Sequence, residues 1–347
     1  MARNTLAVVS QSGQSLTFFN LSTGEKTGQV TDLKAEPHEL CYDNRTNLMY
    51  ITHAYRHGWY AAHGDDAVEI SVFDCEKRKV VDIIDVSPYK GPHYTVLDTE
   101  HDILYSSVEG GIDGAGGIIG IDLKTHKITK AIPSGYKTHW FVMTPDGRKA
   151  FTCNKEAGFI SVIDLVEEKM TGKLEIPGGC EQPGISNDGK LAYFPTPGIG
   201  AMMKGDVKEK RIQVIDTTTD EIVKSIPLDY GGITVHVDCK ERLLVGQYVF
   251  EGDKPNIQNL SSMKARLKVL APPREDFMEL ATFDVDPIPL TVYASPDGSR
   301  AFSANIIKGT VSIVNLDEMK YERTLDVDTV RRADKKMHQG AHGMALI

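Results

Sequence analysis

The sequence predicts an all-β chain, a seven-bladed β-propeller of four-stranded antiparallel blades, on three observations. An alternating, β-branched segment that closes on Asp or Asn recurs along the chain. Each copy is followed by a short polar turn and another strand, and Asp-Gly or similar turns join the remaining strand pairs. Dividing 347 residues by seven leaves about 50 per unit, slightly above the usual propeller repeat length.

Taken in order, the recurring strand reads SLTFFNL at 15–21, EISVFD at 69–74, GIIGIDL at 117–123, FISVIDL at 159–165, RIQVIDT at 211–217 and TVSIVNL at 310–316. A weaker copy, RLKVLA, stands at 266–271. The strand after it is legible as KVVDIIDV at 79–86 and EIVKSIPL at 221–228, and the preceding pair as HWFVMTPDGRKAFTCN at 139–154. The register also accounts for the ends. The chain starts on the second strand of a unit, TLAVVS, and finishes on an unpaired first strand, AHGMALI at 341–347. That strand is expected to complete the first blade and cover otherwise exposed sheet edges. No break divides the pattern, so residues 1–347 are expected to form a single propeller domain.

Composition narrows the partners. With 41% apolar and 25% charged residues, the chain has the make-up of a soluble protein with a substantial core. A formal charge of -9 gives no attraction to phosphate backbones or anionic lipid, so nucleic acid is not expected. The first residues, MARNTLAVVSQSG, lack the long apolar run of a secretion signal, and nowhere do about 18 apolar residues run together. No membrane partner and, unless a leader precedes this sequence, a cytoplasmic location are therefore expected. The five cysteines lack metal-ligand spacing and read as reduced residues in or beside strands.

The repeat resembles that of the YVTN family of lactonase-like seven-bladed propellers. The matching pieces are 160–164, 212–217, Pro37-His38, Pro92-His93, 144–147, 295–298 and the closing His342-Gly343. The resemblance covers essentially the whole chain and implies the architecture. Its scaffold is shared by lactonases, lyases, quinoprotein subunits, surface proteins and binding domains, so it does not select a function.

Alignment of the innermost strands supplies the candidate site. His38, His93 and His139 precede Tyr50, Tyr105 and Phe151 by 12 residues each. The same offset from Tyr193 reaches Glu181, and the other units place Ile233, Leu290 and His342 at the equivalent position. Four histidines and a carboxylate at equivalent positions are expected to bind a divalent ion, Fe, Zn, Mn or Cu, through His38, His93, His139, His342 and Glu181. Ile233 and Leu290 would form an apolar wall for a small organic substrate. The alternative for each histidine is a structural hydrogen bond to nearby backbone.

The connections between second and third strands are long, at 54–68, 108–117, 195–210 and 248–265. Insertions on one face mark a binding face. Tyr55, His57, Trp59, Tyr60 and His63 form an aromatic, basic patch in the first of these, and Tyr248 opens the last. The glycines of 110–117 suggest a lid or close backbone packing, and Met202 and Met203 suggest lid contacts. Tyr94, Trp140 and Gln182 directly follow ring positions and are further candidates for contact with substrate. His236 falls into a blade interface by strict alternation, and a bulge in YGGITVH would bring it to the site as a catalytic group. Glu36 and Glu39 flank His38 as possible orienting groups, and His338 could orient it or bind substrate.

The expected chemistry is metal-dependent hydrolysis of a lactone or ester, or a lyase reaction beside a carbonyl, with Glu181 or an outer histidine moving protons. A four-histidine iron or copper oxygenase or oxidase is the redox alternative, similar in ligand set to the carotenoid-cleaving oxygenases, whose sequence motifs are absent. A non-catalytic binding propeller is the third. No signal for an oligomer stands in the sequence.

Overall fold

Each strong copy of the recurring strand ends in a side chain that closes its own turn. Asn20, Asp74, Asp122, Asp164, Asp216 and Asn315 each accept a hydrogen bond at Oδ1 from a backbone N–H two or three residues ahead. These Asx turns reverse the chain and start the next antiparallel strand. The weak seventh copy has Ala271 at this place, and a 3-10 turn over Pro273–Glu275 makes the reversal instead.

The computed structural model describes residues 4–31, 33–34, 36–58, 65–154, 157–198, 210–249, 260, 262–330 and 338–347. Trp59, Tyr60, His63, Met202 and Met203 lie outside the described residues. The strands form seven four-stranded antiparallel sheets of one connectivity, an all-β seven-bladed propeller fold. The chain divides into two compact units, one of Met1–Thr138, Lys308–Thr310 and Leu325–Ile347, the other of His139–Ile307 and Val311–Thr324.

The first unit holds three sheets. One joins β1 (Thr5–Ser10), β2 (Ser15–Asn20) and β3 (Lys26–Val30) to the C-terminal strand. The next is β4 (Glu36–Asp43), β5 (Leu48–Tyr55), β6 (Asp66–Asp74) and β7 (Lys79–Asp85). The third is β8 (Lys90–Asp98), β9 (Ile103–Ile112), β10 (Ala115–Asp122) and β11 (Ile128–Pro133).

The second unit carries most of the remaining four sheets. They are β12 (Thr138–Met143), β13 (Lys149–Asn154), β14 (Phe159–Asp164) and β15 (Lys169–Glu175); β16 (Gly184–Ile185), β17 (Leu191–Thr196), β18 (Arg211–Asp216) and β19 (Glu221–Pro227); β20 (Gly231–Val237), β21 (Leu243–Val249), β22 (Lys264–Leu270) and β23 (Glu279–Val285); and β24 (Pro289–Ala294), β25 (Arg300–Asn305), β26 (Thr310–Asn315) and β27 (Lys320–Asp326).

The expected closure is present. The last strand, β28 (Met344–Leu346), pairs antiparallel with β1, setting Leu6 opposite Leu346 and Val8 opposite Met344. It takes the innermost place in a sheet whose other strands come from the N-terminus, so the β1 edge is not left open.

Strand alternation explains how one sheet serves two neighbours. In β5, Met49 and Ile51 pack with Ala7, Val9 and Phe18 of the preceding sheet, whereas Tyr50 between them packs with Leu104, Ile119 and Ile121 of the following one. In β21, Leu243 and Val245 turn to Tyr193 and Val214, and Leu244 turns to Val292 and Val314. The period of two sends successive side chains to opposite faces, and both faces are buried, so β5 and β21 carry no Asp, Glu, Lys or Arg along their length.

All five cysteines are free: Cys153 and Cys180 are buried, Cys41 and Cys75 half-buried and Cys239 exposed. Burial pushes the Cys41 and Cys75 thiols up to about 12, leaving them protonated and unreactive. Among the described residues no helix is long and apolar enough to cross a membrane.

Candidate metal centre

The candidate positions fall on a repeated irregularity. The innermost strand slips register between Pro37 and Leu40 in β4, between Pro92 and Thr95 in β8, between Gly232 and Thr234 in β20 and between Pro289 and Thr291 in β24. The residues bypassed by pairing include His38, His93, Ile233 and Leu290. A bulge frees a residue from the ladder and re-aims its side chain. Four of the sequence-aligned positions therefore share one backbone device.

Within the first unit three imidazoles are packed together. The His38 ring centroid lies 3.9 Å from that of His93 and 4.0 Å from that of His342. All three residues are buried, His93 and His342 at 0% and 1% exposure. Backbone bonds fix the group: Thr52 Oγ1 donates to the His93 carbonyl at 2.7 Å, and the Gly343 N–H donates to the His38 carbonyl at 2.9 Å. Gly343 permits this approach, since a Cβ there would stand 2.6 Å from the His38 carbonyl oxygen.

Carboxylates hold two of the histidines. Glu39 Oε1 lies 2.9 Å from His342 Nδ1, and in the second unit Glu181 Oε2 lies 2.8 Å from His139 Nδ1. Both contacts are close, but neither Nδ1 meets hydrogen-bond geometry with its carboxylate. A carboxylate on Nδ1 is the usual outer partner of a metal-ligating histidine, leaving Nε2 as the donor atom. His342 Nε2 has no hydrogen-bond partner among the described residues.

Tyr55 completes the first unit's cluster. Its ring meets His38 edge-on at 5.7 Å and His93 at 6.4 Å, and its hydroxyl donates to Glu109 Oε1 at 2.7 Å. Tyr55 is 1% and Glu109 4% exposed. Reasoning from sequence identified Tyr55 and missed Glu109. The latter is the lone acid at the end of an otherwise apolar and hydroxylic strand, a signal overshadowed by the glycines that follow.

Other flanking candidates have structural partners. Glu36 accepts from Gln11 Nε2 at 3.0 Å, and His338 Nε2 bonds the Asp328 carbonyl at 2.6 Å. His57 is exposed. The glycine-rich stretch forms the tip of the β9–β10 hairpin, where a Cβ on Gly116 or Gly117 would collide with the backbone of Val108 or Ile132. Close backbone packing explains those glycines.

In the second unit Gln182 makes two bonds to one residue, donating Nε2 to the Val292 carbonyl at 3.0 Å and accepting the Val292 N–H at 2.9 Å. Trp140 and Tyr248 are buried and Tyr94 half-buried. Tyr248 lies opposite Gly231, where a larger residue would strike its ring. His236 meets Tyr293 edge-on at 5.3 Å. Part of the residue reaches solvent, but the ring is densely enclosed, and burial pushes its pKa down to about 4, leaving it neutral.

His38, His93 and His139 are each buried, and each offers a ring nitrogen suited to a metal ion. Fold and donor set thus define a β-propeller with a candidate metal-binding site. No protein-family model and no curated protein matches the chain. Among solved structures it is similar to hydrazine synthase of Kuenenia stuttgartiensis, at 19% identity and a TM-score of 0.68, over 90% of this chain and 92% of that one. It is also similar to a functionally unknown protein from Desulfotomaculum acetoxidans DSM 771, at 14% identity and a TM-score of 0.70, over 99% and 98%. At such identities the likeness establishes the fold alone.

Proposed function

We propose that the protein is a metal-dependent enzyme acting on a small carbonyl-containing substrate, as a lactone or ester hydrolase or a lyase. The observation that carries this reading is the group of buried imidazole donors, packed 3.9 and 4.0 Å apart, one with an unpartnered Nε2. In this reading His38, His93 and His139 hold one divalent ion, Fe, Zn, Mn or Cu, and His342 is a fourth donor. When bound, such an ion polarises a carbonyl or lowers the pKa of water. Glu39 and Glu181 hold His342 and His139 at Nδ1, which assigns ligation to Nε2. Glu181 is also the candidate for moving a proton, and Ile233 and Leu290 are the apolar side of the substrate pocket.

A four-histidine iron or copper oxygenase is the second reading, favoured by the packing of His342 on His38. The turn-closing Asp and Asn of the repeated strand support kinship with the YVTN propellers as a further proposal.

The test is metal analysis by inductively coupled plasma mass spectrometry on protein purified without chelator or nickel resin. About one ion per chain is expected, lowered in His38→Ala, His93→Ala and His139→Ala variants that keep the β-sheet circular dichroism of the parent. Zinc or manganese favours hydrolysis or lyase chemistry, and iron or copper the oxygenase. No metal after aerobic and anaerobic reconstitution refutes both and leaves a binding propeller.

A further inference from the structure

We infer that Tyr55 and Glu109 form a positioning latch that sets the mutual orientation of His38 and His93; as a contribution to metal binding, this rests on the proposed metal site. His38 and Tyr55 belong to the sheet of β4–β7, and His93 and Glu109 to the sheet of β8–β11. The hydrogen bond from Tyr55 to Glu109 therefore ties together the two blades that each supply one histidine. It does so beside the rings themselves. Tyr55 stands at 78° to the His38 plane and 75° to the His93 plane, and those two planes stand at 80° to each other.

Three mutually steep rings leave little freedom for any one to turn, provided the tyrosine is pinned. Glu109 does the pinning through a buried bond from phenol to carboxyl group at 2.7 Å. The backbone makes room for it. Gly91, two residues before His93, has φ +62°, and a Cβ there would come within 3.1 Å of Glu109 Cβ. The same absent side chain lies 3.6 Å from the Ala54 carbonyl, next to Tyr55. Gly91 thus admits the Glu109 side chain at the seam between the blades. Tyr55 acts through the histidines, as an outer residue that orients ligands, where removal typically weakens metal binding by about 10- to 100-fold.

The experiment combines Co²⁺ titration with ¹⁵N and ¹³C resonances of the histidine rings in metal-free protein. The variants are Tyr55→Phe, Glu109→Ala, Glu109→Gln, Gly91→Ala and the Tyr55→Phe/Glu109→Ala double. Tyr55→Phe, Glu109→Ala and Gly91→Ala are expected to bind Co²⁺ about 10- to 100-fold more weakly. Glu109→Gln, which keeps a carbonyl acceptor for the phenol, should stay near the parent, and the double should be no worse than the weaker single. In metal-free protein the His38 and His93 rings should shift in the weakened variants while those of His53 and His236 stay in place. A purely structural role would not give that selectivity.

Unmoved His38 and His93 resonances in folded Tyr55→Phe and Glu109→Ala overturn the latch, as does parental Co²⁺ affinity in both. If those variants do not fold, Gly91→Ala and Glu109→Gln decide it by the same measurements. A parent protein that takes up no Co²⁺, with the selective ring shifts still present, refutes the metal reading alone and leaves the latch as the device that orders the imidazoles.

Discussion

Replacing His53 by Asn should remove a large part of the protein's sensitivity to acid. His53 is fully buried and its Nε2 bonds Ser71 Oγ at 2.8 Å. Asn154 and Asn305 occupy the matching places in other blades, where Nδ2 donates to Ser161 at 2.9 Å and to Ser312 at 3.0 Å. Asn can therefore replace the imidazole without loss of this bond between strands. Burial pushes the His53 pKa from 6.5 to about 4. The sign follows from proton uptake: between these values the unfolded chain is protonated and the folded one is not, so stability is full above pH 6.5 and declines as pH falls toward 4. At about 1.4 kcal/mol for each pH unit, the separation is worth about 3 kcal/mol. Urea denaturation at pH 7.5 and pH 4.5 reads it. The parent should lose roughly 2–3 kcal/mol more than His53→Asn between the two conditions. Equal losses would refute the claim that His53 is held neutral by burial.

Three further outcomes follow from the same geometry. Arg242 is buried against Asp238, with Nε donating at 2.7 Å, and also donates to the Leu316 and Gly298 carbonyls; Arg242→Met should cost about 3–5 kcal/mol by leaving Asp238 buried and unpaired. Chemical denaturation checks this, and Arg242→Met combined with Asp238→Leu should recover much of the loss. Gly343→Ala should destabilise by about 1–3 kcal/mol, because the new Cβ meets the backbone of Glu39 and His38, and should also weaken Co²⁺ binding by displacing His342. Chelator-stripped protein should melt at a lower temperature than loaded protein and regain the difference on titration with the ion, by about 4 kcal/mol at a thousandfold excess over Kd; equal melting curves would count against an ion bound to the folded state.

The sequence by itself determined the repeat, its strand order and the closing of the first sheet by residues 344–346. Each depends on local chemistry: alternation of apolar residues, Asp and Asn that close their own turns, and Asp-Gly reversals. The weak copy at 266–271 was recognisable as a strand, but its Ala271 left the reversal to a 3-10 turn opened by Pro272 and Pro273 rather than by an Asp or Asn side chain. The equivalence of His38, His93, Ile233 and Leu290 was also legible, because a constant offset along antiparallel strands survives even where the pairing slips.

Tertiary structure decided the partners. Glu39 adjoins His38 in sequence, yet its carboxylate meets His342, because the chain end that pairs with β1 also bonds to β4 through the Gly343 N–H and the His38 carbonyl. Glu109 acquires its role only when β9 brings it to Tyr55 of another sheet. Gln182, one residue beyond a candidate ligand, spends its amide on the Val292 backbone. Strand pattern is a short-range property, set by period and turns. The direction in which a bulged residue points, and the group that meets it, depend on which sheet packs alongside, information that no single strand carries.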